Sequence, residues 1–194
     1  MPFDRTGNLL GALSLVVIDR TAEAVSGSTR RSESEAAALS WLRQFNHRPS
    51  VDLLGRVLGL SSSGTVRLLD RLGAAGYVSR GAGPDGRTIS VSLTAAGRRA
   101  AEKVAAARAE VLEHALRSLS DQERQSLERL QSKMLVSLMR EPGATRWMCR
   151  MCHTGVCRAG PGCPVTNVVR KRQAAASAGA SRAGRLTPAH TGEQ

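Results

Sequence analysis

Between Ser50 and Gly97 the apolar positions change their period twice. Val51, Leu54, Val57 and Leu58 recur at helical spacing, and so do Thr65, Leu68, Leu69 and Leu72. Further on, Ile89, Val91 and Leu93 alternate with Thr88, Ser90 and Ser92, the period of a strand. The punctuation agrees with the periods. Ser50 is a good N-cap, with Asp52 in the first turn where the helix dipole favours an acid. Gly59-Leu60 breaks the first helix, Ser61 caps the second, and Gly73 or Gly76 ends it. Tyr77 to Arg80 reads as a strand, and Gly81 to Arg87 has turn chemistry throughout. A short helix, a tight turn and a capped second helix make a helix-turn-helix, whose second helix enters the major groove. The hairpin behind it is a wing.

The flanks are helical. Leu9, Leu13, Val16, Val17 and Arg20 share a face of a helix predicted from Phe3 to Val25, and Ser26 to Arg31 reads as a polar linker. The apolar run Leu9 to Ile18 is too short to span a bilayer. Asp4 and Asp19-Arg20 also sit badly with an export signal, so the expected location is cytoplasmic. Ser32-x-x-Glu35 is a capping box opening a helix with Leu39, Leu42 and Phe45 on its buried side and Trp41 as core. His47, beside Arg48-Pro49, suits a solvated helix end. Ala95 to Leu119 reads as a long helix carrying Val104, Val111, Leu112, Ala115 and Leu119. Ser120-x-x-Glu123 is a second capping box, opening a helix with Leu127, Leu130, Met134 and Leu138 on one face and halted near Pro142-Gly143. From Gln173 the chain is Ala, Ser, Gly and Arg, a composition expected to stay disordered.

Three motifs occur in a telling order: Leu72-x-x-Ala75-Gly76-Tyr77-Val78, then Asp85-x-Arg87, then Leu93-Thr94-x-x-Gly97. With the flanking helices, this stretch resembles the MarR family of bacterial winged-helix regulators over roughly Arg31 to Glu141. The fold class expected is mainly α, an α+β winged helix flanked by dimerisation helices. The resemblance divides the chain into a dimerisation helix (1–30), a winged helix-turn-helix DNA-binding domain (31–97) and C-terminal dimerisation helices (98–141). A Cys-rich, metal-binding segment (142–169) and a disordered basic tail (170–194) follow. It also implies a homodimer, double-stranded DNA with a pseudo-palindromic operator as partner, and a small-molecule effector whose identity the residues do not give. Long helices with narrow apolar stripes call for a partner on their own account.

Charge narrows the partner. The net charge is +12; residues 50–100 hold seven Arg against three Asp, and residues 141–194 hold eight Lys or Arg against two Glu. A basic reading head points to nucleic acid. Two Trp, one Tyr and two Phe are too few for a platform that stacks single strands. With Thr65, Leu68, Leu69 and Leu72 turned inward, Ser62, Ser63, Val66, Arg67 and Arg71 are left for DNA. Arg67 suits guanine O6 and N7 or a phosphate, Ser62 and Ser63 a phosphate at the helix N-terminus, and Val66 a thymine methyl. The alternative for Arg71 is pairing with an acid on its own helix, although the adjacent Asp70 does not face it. Arg87 suits a narrow minor groove, braced by Asp85 as in the family it resembles; the alternative is a simple turn with a solvated arginine.

All four cysteines lie in Cys149-x2-Cys152-x4-Cys157-x5-Cys163, among Gly155, Gly160 and Gly162. Four thiols at this spacing suit one tetrahedral Zn2+. The same set serves redox thiols, beside Arg146, Arg150 and Arg158, or an iron–sulfur cluster. His153 is a further donor. Function therefore reads as a homodimeric, sequence-specific regulator, a repressor, released by a small ligand or by thiol or metal chemistry. A Cys149-x-x-Cys152 oxidoreductase and a non-specific architectural DNA binder are the alternatives. The oxidoreductase lacks the βαβ setting its chemistry normally has, so an enzyme is not expected.

Overall fold

The computed structural model describes residues 4–45, 48–83, 86–139 and 147–183. Helix α1 (Arg5–Thr29) starts where the Asp4 carboxylate accepts the Gly7 N–H at 2.6 Å. It ends at Arg30, held left-handed at φ 54° with its N–H on the Ser26 carbonyl. The expected linker from Ser26 is thus helical to Thr29. Val25 explains the extension: it is buried against Ala36, Val104 and Ala107, so the last turn is packed rather than free. Helix α2 (Glu33–Gln44) opens with the capping box read from the sequence, the Ser32 N–H donating to Glu35 Oε2 at 2.9 Å. Leu39, Trp41 and Leu42 are buried. Phe45, expected inside, is 37% exposed, because it sits one residue past the helix and stacks on Trp41 from outside.

Helices α3 (Val51–Leu58) and α4 (Ser62–Ala74) are capped by Ser50 and Ser61, and Gly59 turns the chain between them at φ 67°. The predicted inward set of α4 is buried in full. Gly73 does not stop α4; the helix runs to Ala74, and the turn is made at Gly76, φ 70°.

Strands β1 (Val78–Ala82) and β2 (Ile89–Leu93) pair antiparallel, with Val78 opposite Leu93 and Arg80 opposite Val91. The alternation in β2 holds at Val91, which is buried, and fails at the outer end. There Ile89 is 57% exposed while Ser90 is buried. The cause is a third segment: Ser50 bridges Ser90, and the Val91 N–H donates to the Pro49 carbonyl at 2.9 Å. Ser90 then satisfies its hydroxyl on the Gly81 and Ala82 carbonyls.

Helix α5 (Ala95–Leu116), capped by Thr94, runs back over α1 and α2 and ends a turn short of the predicted Leu119. At its start Gly97 lies so close to the Tyr77 carbonyl that a Cβ would stand 2.0 Å from the oxygen. Helix α6 (Asp121–Ser137) has the second capping box and no buried residue. Helices α7 (Thr154–Ala159) and α8 (Pro164–Ala183) complete the described chain, with α8 against α6. Residues 170–183, expected to be disordered, are helical; their alanines have the best helix propensity of any residue, which the lack of large apolar groups had masked. The proposed stop at Pro142-Gly143, His47 and residues 184–194 lie outside the described residues.

One core joins Leu39, Trp41 and Leu42 of α2 to Leu54 and Val57 of α3, Leu68, Leu69 and Leu72 of α4, and Val78 and Val91 of the wing. The reading head is therefore one packed body. Its orientation depends on α2 and α5, not on loops.

Candidate nucleic-acid interface

Helix α4 presents its outer face on that body. Ser61 Oγ accepts the Gly64 N–H at 3.2 Å, leaving Ser62 and Ser63 exposed at the first turn. Val66 is 45% exposed, and Arg67 is exposed with no ion pair among the described residues. Ser62, Ser63, Val66 and Arg67 thus stand together, facing away from the core as the helical period requires.

Arg71 departs from expectation. Its Nε donates to Glu35 Oε1 at 3.2 Å, so it ties α4 to the capping box of α2 while staying 56% exposed. Burial alone would push the Glu35 carboxyl up, but hydrogen bonds from Ser32 and the Arg71 guanidinium hold it below the usual range. Arg71 is first a strut, and its remaining donors face solvent.

A second strut was missed. Arg80 of β1 reaches Asp70 Oδ1 of α4 at 2.7 Å and the Val66 carbonyl at 3.3 Å. The wing is thereby fixed beside the outer face of the recognition helix. Asp70, adjacent to Arg71 and not facing it, is free to pair across to the wing. The available signal was that Arg80 lies outward on β1, on the side the helix must pass. Val66 and Ile89 line the shallow groove between the two elements, which explains an apolar residue exposed on each. Arg87 is exposed on the hairpin; Asp85, its suggested brace, lies outside the described residues.

No family model and no curated protein matches the sequence, and the likeness appears in three dimensions. A probable transcriptional regulator from Pseudomonas aeruginosa is 28% identical, covering 67% of this chain and 99% of its own, with a TM-score of 0.52. A MarR family protein from Bacillus stearothermophilus is 26% identical over 69% of this chain and 92% of its own, at a TM-score of 0.62. Wild-type MarR from E. coli, in its apo form, shares the fold at 23% identity, 70% and 99% coverage and a TM-score of 0.60. The fold is that of the MarR-family transcriptional regulators. These neighbours are regulators and not enzymes.

What the MarR fold does not account for is the cysteine segment, which these neighbours do not cover. Cys149, Cys152, Cys157 and Cys163 are half-buried free thiols. They line one cavity of about 350 Å³, with Arg158 and Arg170 in its wall. A turn with the Cys152 N–H on the Cys149 carbonyl (2.9 Å) sets the first pair on one side. Gly162, at φ 87°, turns the chain so that Cys163 returns to the same space. The segment is pinned to α2, since the Thr154 N–H and hydroxyl both donate to Gln44 Oε1, at 3.1 and 2.8 Å. The Cys152 thiol is lowered to about 7 by a hydrogen bond from Cys149 and the charge of Arg108 on α5, while Cys149 is pushed up by the same partner. Burial, with Cys163 and Cys152 nearby, pushes Cys157 up. Among the described residues no three His, Cys, Asp or Glu side chains already stand in ligating positions. None of the described helices is long and apolar enough to cross a membrane.

Proposed function

We propose that this chain is a homodimeric, sequence-specific DNA-binding regulator that represses transcription by occupying a pseudo-palindromic operator. One observation carries the reading. The exposed set Ser62, Ser63, Val66 and Arg67 is locked beside the wing by the Arg80 contacts with Asp70 and the Val66 carbonyl. Arg67 reads a guanine edge or grips a phosphate, and the first turn of α4 receives a phosphate on its hydroxyls and N–H groups. Arg87 enters the adjacent minor groove, whose negative potential attracts a guanidinium.

The uncovered helices support a twofold partner. Leu9, Leu10, Leu13, Leu15, Val16 and Ile18 of α1 are each 45–66% exposed, and Leu130 of α6 and its C-cap Leu138 are 51% and 69% exposed. A second copy covers these faces and sets two α4 helices one DNA turn apart, about 34–36 Å. A ligand, or chemistry at the thiols, releases DNA by changing that separation, because both half-sites must be engaged at once.

Footprinting of the intergenic DNA beside the gene tests the reading. Protection of one inverted repeat, lost in Arg67→Ala while the variant stays folded and dimeric, is expected. Uniform protection would make the protein an architectural binder, and no protection at physiological salt would end the proposal.

A further inference from the structure

The cysteine cavity belongs neither to the reading head nor to the uncovered helices. We propose that Cys149, Cys152, Cys157 and Cys163 bind one structural Zn2+ that clasps the C-terminal segment onto the end of α2 and the side of α6.

Donor number comes first. A reactive dithiol needs two thiols, and here four converge on a single chamber. Cys149 and Cys152 come from one half of the segment and Cys157 and Cys163 from the other, and all four line the same cavity. Four thiols and no competing carboxylate in the cavity wall are a set for a thiophilic ion, and closed four-coordinate sites of this composition are structural zinc sites.

The second argument is what else holds the segment. Of the described residues from 147 to 175, only Val165 is fully buried, with Met151 against the smaller core. Trp147 and Val156 are 52% and 71% exposed. The segment's other ties include the contact of α8 with α6, the Gln44 bonds, the Asn167 side chain on the Pro161 carbonyl at 3.1 Å, and Arg150 on the Trp147 carbonyl and ring. Most of its side chains are half-buried or exposed. So little apolar burial does not order a stretch of this length, whereas metal ligation supplies the missing free energy. Zinc, once bound, supplies a four-way crosslink and no reaction.

Charge balance agrees. Binding exchanges thiol protons for the ion: Zn2+ and four thiols give a centre of net charge −2, and four protons leave to solvent. Arg158 and Arg170 in the wall, with Arg108 beside Cys152, compensate that charge. Among the described residues the thiols do not stand in ligating positions, so binding requires them to draw together within the cavity.

The test uses the full chain, purified without air and without metal-chelating resin. About one zinc per chain by mass spectrometry is expected, with the four thiols shielded from a thiol reagent until a chelator is added. Co2+ replacing the zinc should give the intense absorption of tetrahedral sulfur coordination. Cys152→Ser and Cys163→Ser should each lose the metal, while operator binding and dimerisation, which rest on other residues, show that the protein is folded. Metal-free protein with four freely reacting thiols overturns the proposal, as does a Cys149–Cys152 disulfide formed by mild oxidant in protein as isolated. Brown protein containing iron overturns it too. So does zinc that persists when all four cysteines are replaced by serine, which would mark adventitious binding. Loss of DNA binding alone would count against the operator reading and not against the metal site.

Discussion

The crossing of α3 and α4 sets the angle at which the recognition helix leaves the body, and it turns on one missing methyl group. A Cβ on Gly55 would stand 2.6 Å from the Thr65 hydroxyl, but 3.5 Å from Thr65 Cβ and 3.6 Å from the Leu60 carbonyl, both ordinary contacts. Thr65 is buried, and its hydroxyl donates to the Ser61 carbonyl at 2.9 Å. It has no cheap retreat: rotating χ1 gives up that bond and swings the methyl into neighbouring space. Gly55→Ala therefore sets overpacking of about 1–3 kcal/mol against a helix-propensity gain of about 1 kcal/mol. The net expectation is a loss of about 1 kcal/mol. Thr65→Ala alone should cost about 1–2 kcal/mol for the buried hydrogen bond and the methyl. In that background the obstruction is gone, so Gly55→Ala should change sign and stabilise by about 1 kcal/mol. Urea unfolding of the four proteins gives the coupling, expected near 2 kcal/mol. Gel shifts on the folded proteins should show weaker operator binding for Gly55→Ala, because α4 is displaced. A Gly55→Ala effect of the same sign and size in both backgrounds would refute the contact.

Other perturbations read other parts of the molecule. Arg67→Ala should weaken operator binding about 10- to 100-fold and relax sequence preference, with the unfolding midpoint unchanged. Arg87→Ala should weaken most sites alike and reduce the salt slope of log K by about one, measured by titration at several salt concentrations. Glu35 is held below its ordinary value of 4.5, so it contributes stability at pH above that value, and this is lost as pH falls through the lowered pKa. Glu35→Gln keeps the capping geometry but loses the charge; it should cost about 1 kcal/mol near neutrality, a gap that closes in urea unfolding as the pH falls through the lowered pKa. Leu13→Asp, on the exposed face of α1, should give a monomer by analytical ultracentrifugation whose reading head unfolds normally but which loses the operator.

The reading head was legible because its information is local. Ser50, Ser61, Ser32-x-x-Glu35 and Gly59 each state a helix end, and the structure honours all of them. Where the reading failed, a partner far along the chain decided the matter. Ser90 is buried and Ile89 exposed because Pro49 and Ser50 pair with β2 at one end, which no period-two pattern can report. The outward position of Arg71 is readable from the sequence, whereas its bond to Glu35, on another helix, is not. The last turn of α1 was missed for the same reason, since its support comes from Ala36, Val104 and Ala107. For the cysteines, spacing proposes a cluster, whereas the shared cavity depends on the turn at Gly162 and on Gln44 holding Thr154.

Uncovered apolar surface gives the proposed dimer a thermodynamic consequence. The first half of α1 has no fully buried residue and α6 has none either, so intrachain packing holds α1 mainly at its last turn and α6 only weakly. Association adds the stability their uncovered faces lack, and it makes the folded population depend on protein concentration. The reading head differs: its core of α2, α3, α4 and the wing is closed within one chain. Dilution should therefore separate two events, loss of the α1 and α6 helices first and unfolding of the reading head later. Affinity for a palindrome falls at the first event, because two intact heads no longer held at one spacing bind as independent half-sites. An effector needs only to loosen that spacing, and it need not touch Arg67 or the wing.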